Sequence, residues 1–185
     1  MNKKILLGVT GGIALYKSCD LISKLQREEV AIKVVMTRAA THFISPLTFA
    51  ALSTNRVYTD LFSAGDEYTT AHISLAKWCD IFIIAPATAN IIGKIANGIA
   101  DDLLSSVCLA MPQHVPFLIA PSMNNNMWHN PIVQRNIASL MATKEEGIDR
   151  YQIIKPRITR LACGDIAEGA MADIEVIIET IKSVS

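Results

Sequence analysis

An excess of charge of either sign is missing from this sequence: 17 Lys and Arg offset 17 Asp and Glu, and the formal net charge is zero. Without a basic excess there is no electrostatic footprint for a nucleic-acid backbone, and without an acidic block there is no disordered tail. The expected partner is a small molecule or another copy of the chain. Cysteine is scarce as well. The four thiols, Cys19, Cys79, Cys108 and Cys163, are widely spaced, with no CxxC pair and no Cys/His cluster at ligand spacing. That pattern speaks against a disulfide framework and a zinc site, and it predicts a reducing, cytoplasmic setting and no metal. Long hydrophobic runs are also lacking: none approaches the roughly 18 to 20 residues that span a bilayer. The opening MNKKILLGVTGG places two lysines before an apolar stretch, but glycines cut it short and no small-x-small cleavage site follows. A first β-strand is expected there instead of a secretion signal. There are no internal repeats and no low-complexity tracts. At 185 residues the chain is expected to form one domain, residues 1 to 185.

What is present is alternation. Apolar, β-rich runs exchange with segments of helical period, which predicts an α/β fold: a doubly wound, Rossmann-like or flavodoxin-like parallel sheet with crossover helices on both faces. Residues 3–9, 30–36, 80–86 and 115–121 predict four strands. After the first, Ala14, Ser18, Leu21, Ile22 and Leu25 share one helical face, with Lys17, Asp20, Lys24 and Arg27 opposite. Thr88 can cap a helix that ends before Gly98, Asp101 and Asp102 suit the positive end of the next, and Asn130-Pro131 is a cap followed by a first-turn proline. Residues 142–170 carry Gly, Pro, Lys and Arg without clear period, predicting an extended loop with a substrate flap around residues 155–170. A last helix turns Ile174, Ile177, Ile178 and Ile181 inward.

In an open parallel sheet the ligand crevice lies beyond the carboxyl ends of the strands, beside the helix N-termini. The unusual stretches of this sequence fall there. At the first strand-to-helix turn, Thr10, Gly11 and Gly12 offer a hydroxyl and bare backbone amides suited to a phosphate; a tight turn that simply needs glycine is the alternative. A nicotinamide site would want an acid at the end of the second strand. Thr37-Arg38 stands there, which favours a phosphate or flavin mononucleotide. In APATANIIGKIANG, Thr88 and Asn90 put polar side chains at the mouth. His72 opens a helical segment; it is either a cap or surface residue or, kept neutral by the helix N-terminus, a base or a switch at a carboxylate. His42, His114 and His129 have less context and are expected to be structural. Cys163 follows Lys155, Arg157 and Arg160, whose charge would lower a thiol pKa; an inert loop cysteine is the other reading. Finally, APSMNNNMWHNP sets three consecutive amides between methionines where a strand meets its helix.

In combination, VTGGIALYK, AHISLAKWCD, PATANIIGKIANG, APSMNNNMW and LACGD resemble the homo-oligomeric flavin-containing cysteine decarboxylases, the phosphopantothenoylcysteine decarboxylases among them. The resemblance runs from about residue 3 to residue 182. It implies FMN as cofactor and conversion of 4'-phosphopantothenoylcysteine to 4'-phosphopantetheine on the route to coenzyme A. A carboxylate on a carbon next to nitrogen does not leave unaided, and transient oxidation of the neighbouring CH2SH group by the flavin supplies the electron sink. By resemblance, His72 serves the oxidative decarboxylation, Asn124 holds the substrate carboxylate and amide, and Cys163 returns a proton. Arg160, Leu161 and Ala162 belong to a flap over the substrate, with Met127 also on the substrate side. Gly11, Gly12, Ile13, Thr37, Arg38, Ala39, Thr88, Ala89, Asn90, Ile91 and Ser122 fall on positions used around FMN. An amide can hold a carboxylate without stabilising it so strongly that decarboxylation is suppressed, while methionine and tryptophan supply a water-poor wall. Asn125 and Asn126 are expected to cap or to face solvent.

Two positions depart from the pattern that the resemblance implies: Ser122, where PAMN is common, and Ala167, in place of a glycine of GDxGxG. Neither removes a reacting group. The alternatives are a peptidyl-cysteine decarboxylase of lantibiotic maturation, whose kind generally lacks ACGD, a flavin prenyltransferase, and a non-catalytic flavoprotein regulatory subunit. The resemblance further implies a homo-oligomer, a trimer or a dodecamer built from trimers. A separate phosphopantothenoylcysteine synthetase is expected upstream.

Overall fold

Alternate positions of the central strands face two different cores. The computed structural model describes residues 3–62, 70–160, 164 and 166–184. Strand β1 (Lys4–Val9) leads through a short 3-10 turn (Ile13–Leu15) into α1 (Tyr16–Gln26), followed by β2 (Ala31–Met36), α2 (Arg38–Thr41), α3 (Pro46–Ser53) and β3 (Val57–Tyr58). Next come α4 (Ala71–Trp78), β4 (Ile81–Ala87), α5 (Ala89–Ala96), α6 (Leu103–Ala110), β5 (Phe117–Pro121), α7 (Asn125–Trp128) and α8 (Pro131–Ala142). The chain continues with β6 (Lys144–Glu145), β7 (Ile148–Asp149), β8 (Gln152–Ile153), β9 (Arg157–Arg160), β10 (Ile166–Ala170) and α9 (Ile174–Ser183).

The main sheet has the order β3-β2-β1-β4-β5-β8, with every pairing parallel. Ile5, Leu7 and Val9 of β1 turn to a core shared with α1, α3 and α9, while Leu6 turns to a second core with α4, α5, α6 and α8. This is the doubly wound α/β architecture expected from the alternation of patterns. The order reverses between β1 and β4, so the crossovers leave in opposite directions and a crevice opens at their carboxyl ends.

The anticipated inward face of α1 is buried throughout: Ala14, Ser18, Leu21, Ile22 and Leu25. Asn130 caps α8 through its side chain, with Pro131 in the first turn. Asp102 caps α6 in a reciprocal box with Ser105. The sheet is wider than the four strands read from the sequence, because β3 and β8 add one short edge each. Residues 142–170, expected to be an extended loop, instead contain two small antiparallel pairs, β6–β7 and β9–β10, besides β8. Among the described residues no helix is long and apolar enough to cross a membrane.

Candidate active site

The crevice at the switch point has a volume of about 1010 Å³, at the upper end for small-molecule sites. Its β1 side is the Gly11-Gly12 turn. A Cβ on Gly11 would lie 2.6 Å from Ala39 Cβ and 2.7 Å from Ala39 C, so only glycine lets this turn pack against the start of α2. Thr10 plays a different part from the phosphate contact its hydroxyl suggests. Thr10 is 2 % exposed; its hydroxyl donates to Pro86 O at 2.7 Å and accepts from Thr88 N–H at 3.1 Å, bracing β1 against the β4–α5 turn.

Thr88 is the N-cap of α5, yet its side chain makes no capping hydrogen bond. The hydroxyl and the first-turn amides of α5 are therefore open to the crevice, where Thr88 and Asn90 both stand. Lys94, one helical turn beyond Asn90, also lines it. Its ammonium lies 2.6 Å from both Asp101 and Asp102. Burial opposes the charge on Lys94, but the two carboxylates outweigh it and raise the pKa; burial likewise works against the Asp102 carboxylate, and the bonds from Lys94 and Ser105 still hold it below the usual value.

On the β5 side the chain turns through Ser122, Met123 and Asn124. Ser122 N–H donates to Ala87 O and Met123 N–H donates to Gly169 O, both at 2.9 Å, so the turn is strung between β4 and β10. Asn124 caps α7: its Oδ1 accepts from Met127 N–H at 2.8 Å. A backbone donor fixes which end of the amide is oxygen, so the Nδ2 hydrogens remain for the crevice that Asn124 lines. Met123 and Met127 supply apolar wall. Trp128, expected in that wall, is 8 % exposed and anchors α7 in the second core.

The structure brings most of the anticipated residues together. Gly11, Gly12, Ile13, Thr37, Arg38, Ala39, Thr88, Asn90, Ser122, Asn124, Met127 and Arg160 all line the crevice. Ala89 and Ile91 are absent from its lining; the Ile91 side chain is in the second core, leaving its backbone as the part that could meet a ligand. Thr37 spends its hydroxyl oxygen on the Ala40 N–H at 3.3 Å. His72 stands apart, half-buried in the first turn of α4, and is not among the residues lining the crevice. Leu161, Ala162 and Cys163 lie outside the described residues. Sequence reasoning missed Lys17, Lys94, Asp102 and Arg157 as lining residues. Helical spacing from Asn90 could have found Lys94, whereas Lys17 had been read as the solvent face of α1.

A model of the family described as Flavoprotein matches residues 1–185. The chain belongs to the Flavoprotein family. Within it, a protein of Streptococcus mutans named "Probable phosphopantothenoylcysteine decarboxylase" is 46% identical over 182 residues, covering 98% of both chains. The "Coenzyme A biosynthesis bifunctional protein CoaBC" of Bacillus subtilis is 47% identical over 178 residues, but the chain spans only 42% of its length. Two solved structures share the fold. A PPC decarboxylase variant complexed with pantothenoylaminoethenethiol superposes with TM-score 0.84 at 32% identity, covering 99% of this chain and 98% of the other. The FMN-dependent cysteine decarboxylase SpaF gives 0.80 at 32% identity, over 99% and 98%. The residues present fit the family's cofactor: the turn bare of Cβ at Gly11, the unused Thr88 hydroxyl and the open α5 amides are uncharged donors suited to a flavin phosphate.

Proposed function

We propose that this chain is an FMN-dependent decarboxylase that converts 4'-phosphopantothenoylcysteine to 4'-phosphopantetheine in coenzyme A biosynthesis. The observation that carries this reading is Asn124, whose Oδ1 is committed to Met127 N–H and whose free Nδ2 hydrogens face the same crevice as the open α5 N-terminus. The relatives of known name support the same substrate.

Bound FMN would supply a reversible two-electron acceptor, and Gly11, Gly12, Thr88 and Asn90 are the residues to hold it. Asn124 donates to the cysteinyl carboxylate through neutral N–H groups, which orient it without the strong stabilisation a cation would give. Met123 and Met127 give that carboxylate an apolar wall, and an apolar surrounding favours loss of a charged group as neutral carbon dioxide. Cys163 is assigned the proton donor to carbon of the enethiolate that remains once carbon dioxide has left. It belongs with Arg160, Leu161 and Ala162 to the flap, of which β9 and β10 are the described arms.

His72 is assigned a place near the substrate carboxylate, and it gets there from a second copy of the chain. Two observations favour such an assembly. Ile13 and Tyr16 are 64 % and 60 % exposed beside the crevice, and Ile73 beside His72 is 38 % exposed. The active unit is a homo-oligomer, trimeric or built from trimers, working in the cytoplasm with substrate from a separate synthetase. The test is an absorbance spectrum of the purified protein together with mass analysis of its product. A flavin spectrum, release of carbon dioxide and a product lighter by that mass are expected; a colourless protein inactive with added FMN sinks the reading.

A further inference from the structure

We propose that Lys17 and Arg157 form the subsite that grips the terminal phosphate of the substrate, separate from the place of the flavin's own phosphate. The inference rests on the decarboxylase reading and extends it from the reacting end of the substrate to its far end.

The charged groups around the crevice are unevenly balanced. At the α5–α6 end one ammonium, Lys94, faces two carboxylates, Asp101 and Asp102. Two further lining cations, Lys17 of α1 and Arg157 of β9, have one carboxylate near them, Asp173, which is already taken by Arg157 Nη1 at 2.5 Å. Lys17 has no ion pair of its own among the described residues. Arg157 Nε is buried and makes no hydrogen bond among the described residues. Burial and then the neighbouring Arg157 guanidinium pull the Lys17 pKa down from its usual value, with Asp173 pulling the other way. Two cations on one lining, with donors to spare, are electrostatically incomplete, and a dianion between them completes them. The same dianion at the Lys94 end would meet excess negative charge.

Paired backbone links the reacting centre to Arg157. Met123, next to Asn124, is clasped by Gly169 O; the following residue, Ala170, is the cross-strand partner of Arg157. A Cβ on Gly169 would strike Met123 O, so the clasp needs glycine, which here adopts φ 132°. Met171, the residue after Ala170, lines the same crevice as Lys17. A substrate whose carboxylate meets Asn124 thus runs along β10 and ends at Arg157 and Lys17. The flavin phosphate has the uncharged cradle at Gly11, Gly12 and Thr88 and does not need these cations.

The test compares flavin-loaded wild-type protein with Lys17→Met, Lys17→Arg and Arg157→Gln. Each is assayed on 4'-phosphopantothenoylcysteine and on its dephosphorylated counterpart. Loss of one charged hydrogen bond is worth about ten- to a hundredfold. The KM of Lys17→Met for the phosphorylated substrate should rise by that factor, with the loss falling on KM and not on kcat. Its preference for phosphorylated over dephosphorylated substrate should shrink in step, and Lys17→Arg should recover most of it. FMN affinity of the stripped protein should not move. An unchanged preference in both Lys17→Met and Arg157→Gln overturns the subsite; so does loss of FMN affinity in Lys17→Met, which would hand these cations to the flavin. Equilibrium dialysis with 4'-phosphopantothenate against pantothenate reads the same preference without turnover. A wild type that decarboxylates nothing yet binds phosphopantothenate through Lys17 would therefore cost the decarboxylase reading and leave the phosphate grip standing.

Discussion

Asn124 does two jobs with one side chain, and they can be separated. Asn124→Asp keeps an oxygen for the Met127 N–H, so α7 stays capped and thermal stability should move little. It also puts a carboxylate where a donor stood, facing the carboxylate of the substrate. Like charges in a dry site cost several kcal/mol, so kcat/KM should fall by about two orders of magnitude or more. Enzyme assays beside thermal melts check both halves. Gly11→Ala is the reverse case, since its methyl would collide with the Ala39 backbone. Overpacking of that kind costs about 1–3 kcal/mol, and the protein should lose FMN on gel filtration. Among the thiols, burial pushes Cys79 up to about 12 and Cys108 well above its usual value. Alkylation of native protein at neutral pH followed by mass mapping should leave both unmodified. Asn124 was legible as an oddity of its stretch. Thr10 was not, because a buried hydroxyl and a ligand hydroxyl look alike until their partners are known.

The Lys94–Asp102 pair ties α5 to the N-terminus of α6 at the crevice lining. Asp102 also accepts from Ser105 N–H at 2.8 Å, so its charge serves two helices. Its folded carboxyl titrates below the usual value of 3.8. The stability this adds is in place above about pH 4 and disappears as the pH falls through the lowered folded value. Thermal melts from pH 7 down to pH 3 should show Asp102→Asn losing less than wild type over the acid end, since the amide keeps the cap, worth about 1 kcal/mol, and has no charge to lose. A steeper acid loss in the variant would contradict the assignment. The caps of α6 and α8 were readable because they are local, a polar side chain within three residues of the amide it serves. Strands β6, β7 and β8 were not, since two residues cannot show a period.

The assembled molecule decides whether the site is whole. If His72 reaches the crevice from a neighbouring copy, two inactive variants can repair each other. Mixed oligomers of His72→Asn and Asn124→Asp subunits, made by co-expression, should recover part of wild-type turnover, because some interfaces pair an intact His72 with an intact Asn124. Sedimentation should find the flavin-loaded protein larger than one chain. A stable, fully active monomer would remove the need for any neighbour. The order of the four long strands' patterns pointed to the parallel sheet, and so to the edge on which the crevice lies. Which copy supplies a side chain has no local signature at all.

Periodicity and punctuation in the sequence were enough for the α/β class, the inward face of α1, the capped helices and the turns that meet at the switch point. These depend on neighbours within one or two helical turns or on strand alternation, and such short-range steric rules are written locally. Tertiary packing alone decided that Thr10 braces β4, that Trp128 leaves the wall for the core, and that His72 stands off the crevice. It alone brought Lys17 and Arg157 to the lining of one crevice, because the meeting of residues so distant in the chain is set by how strands and helices close upon one another.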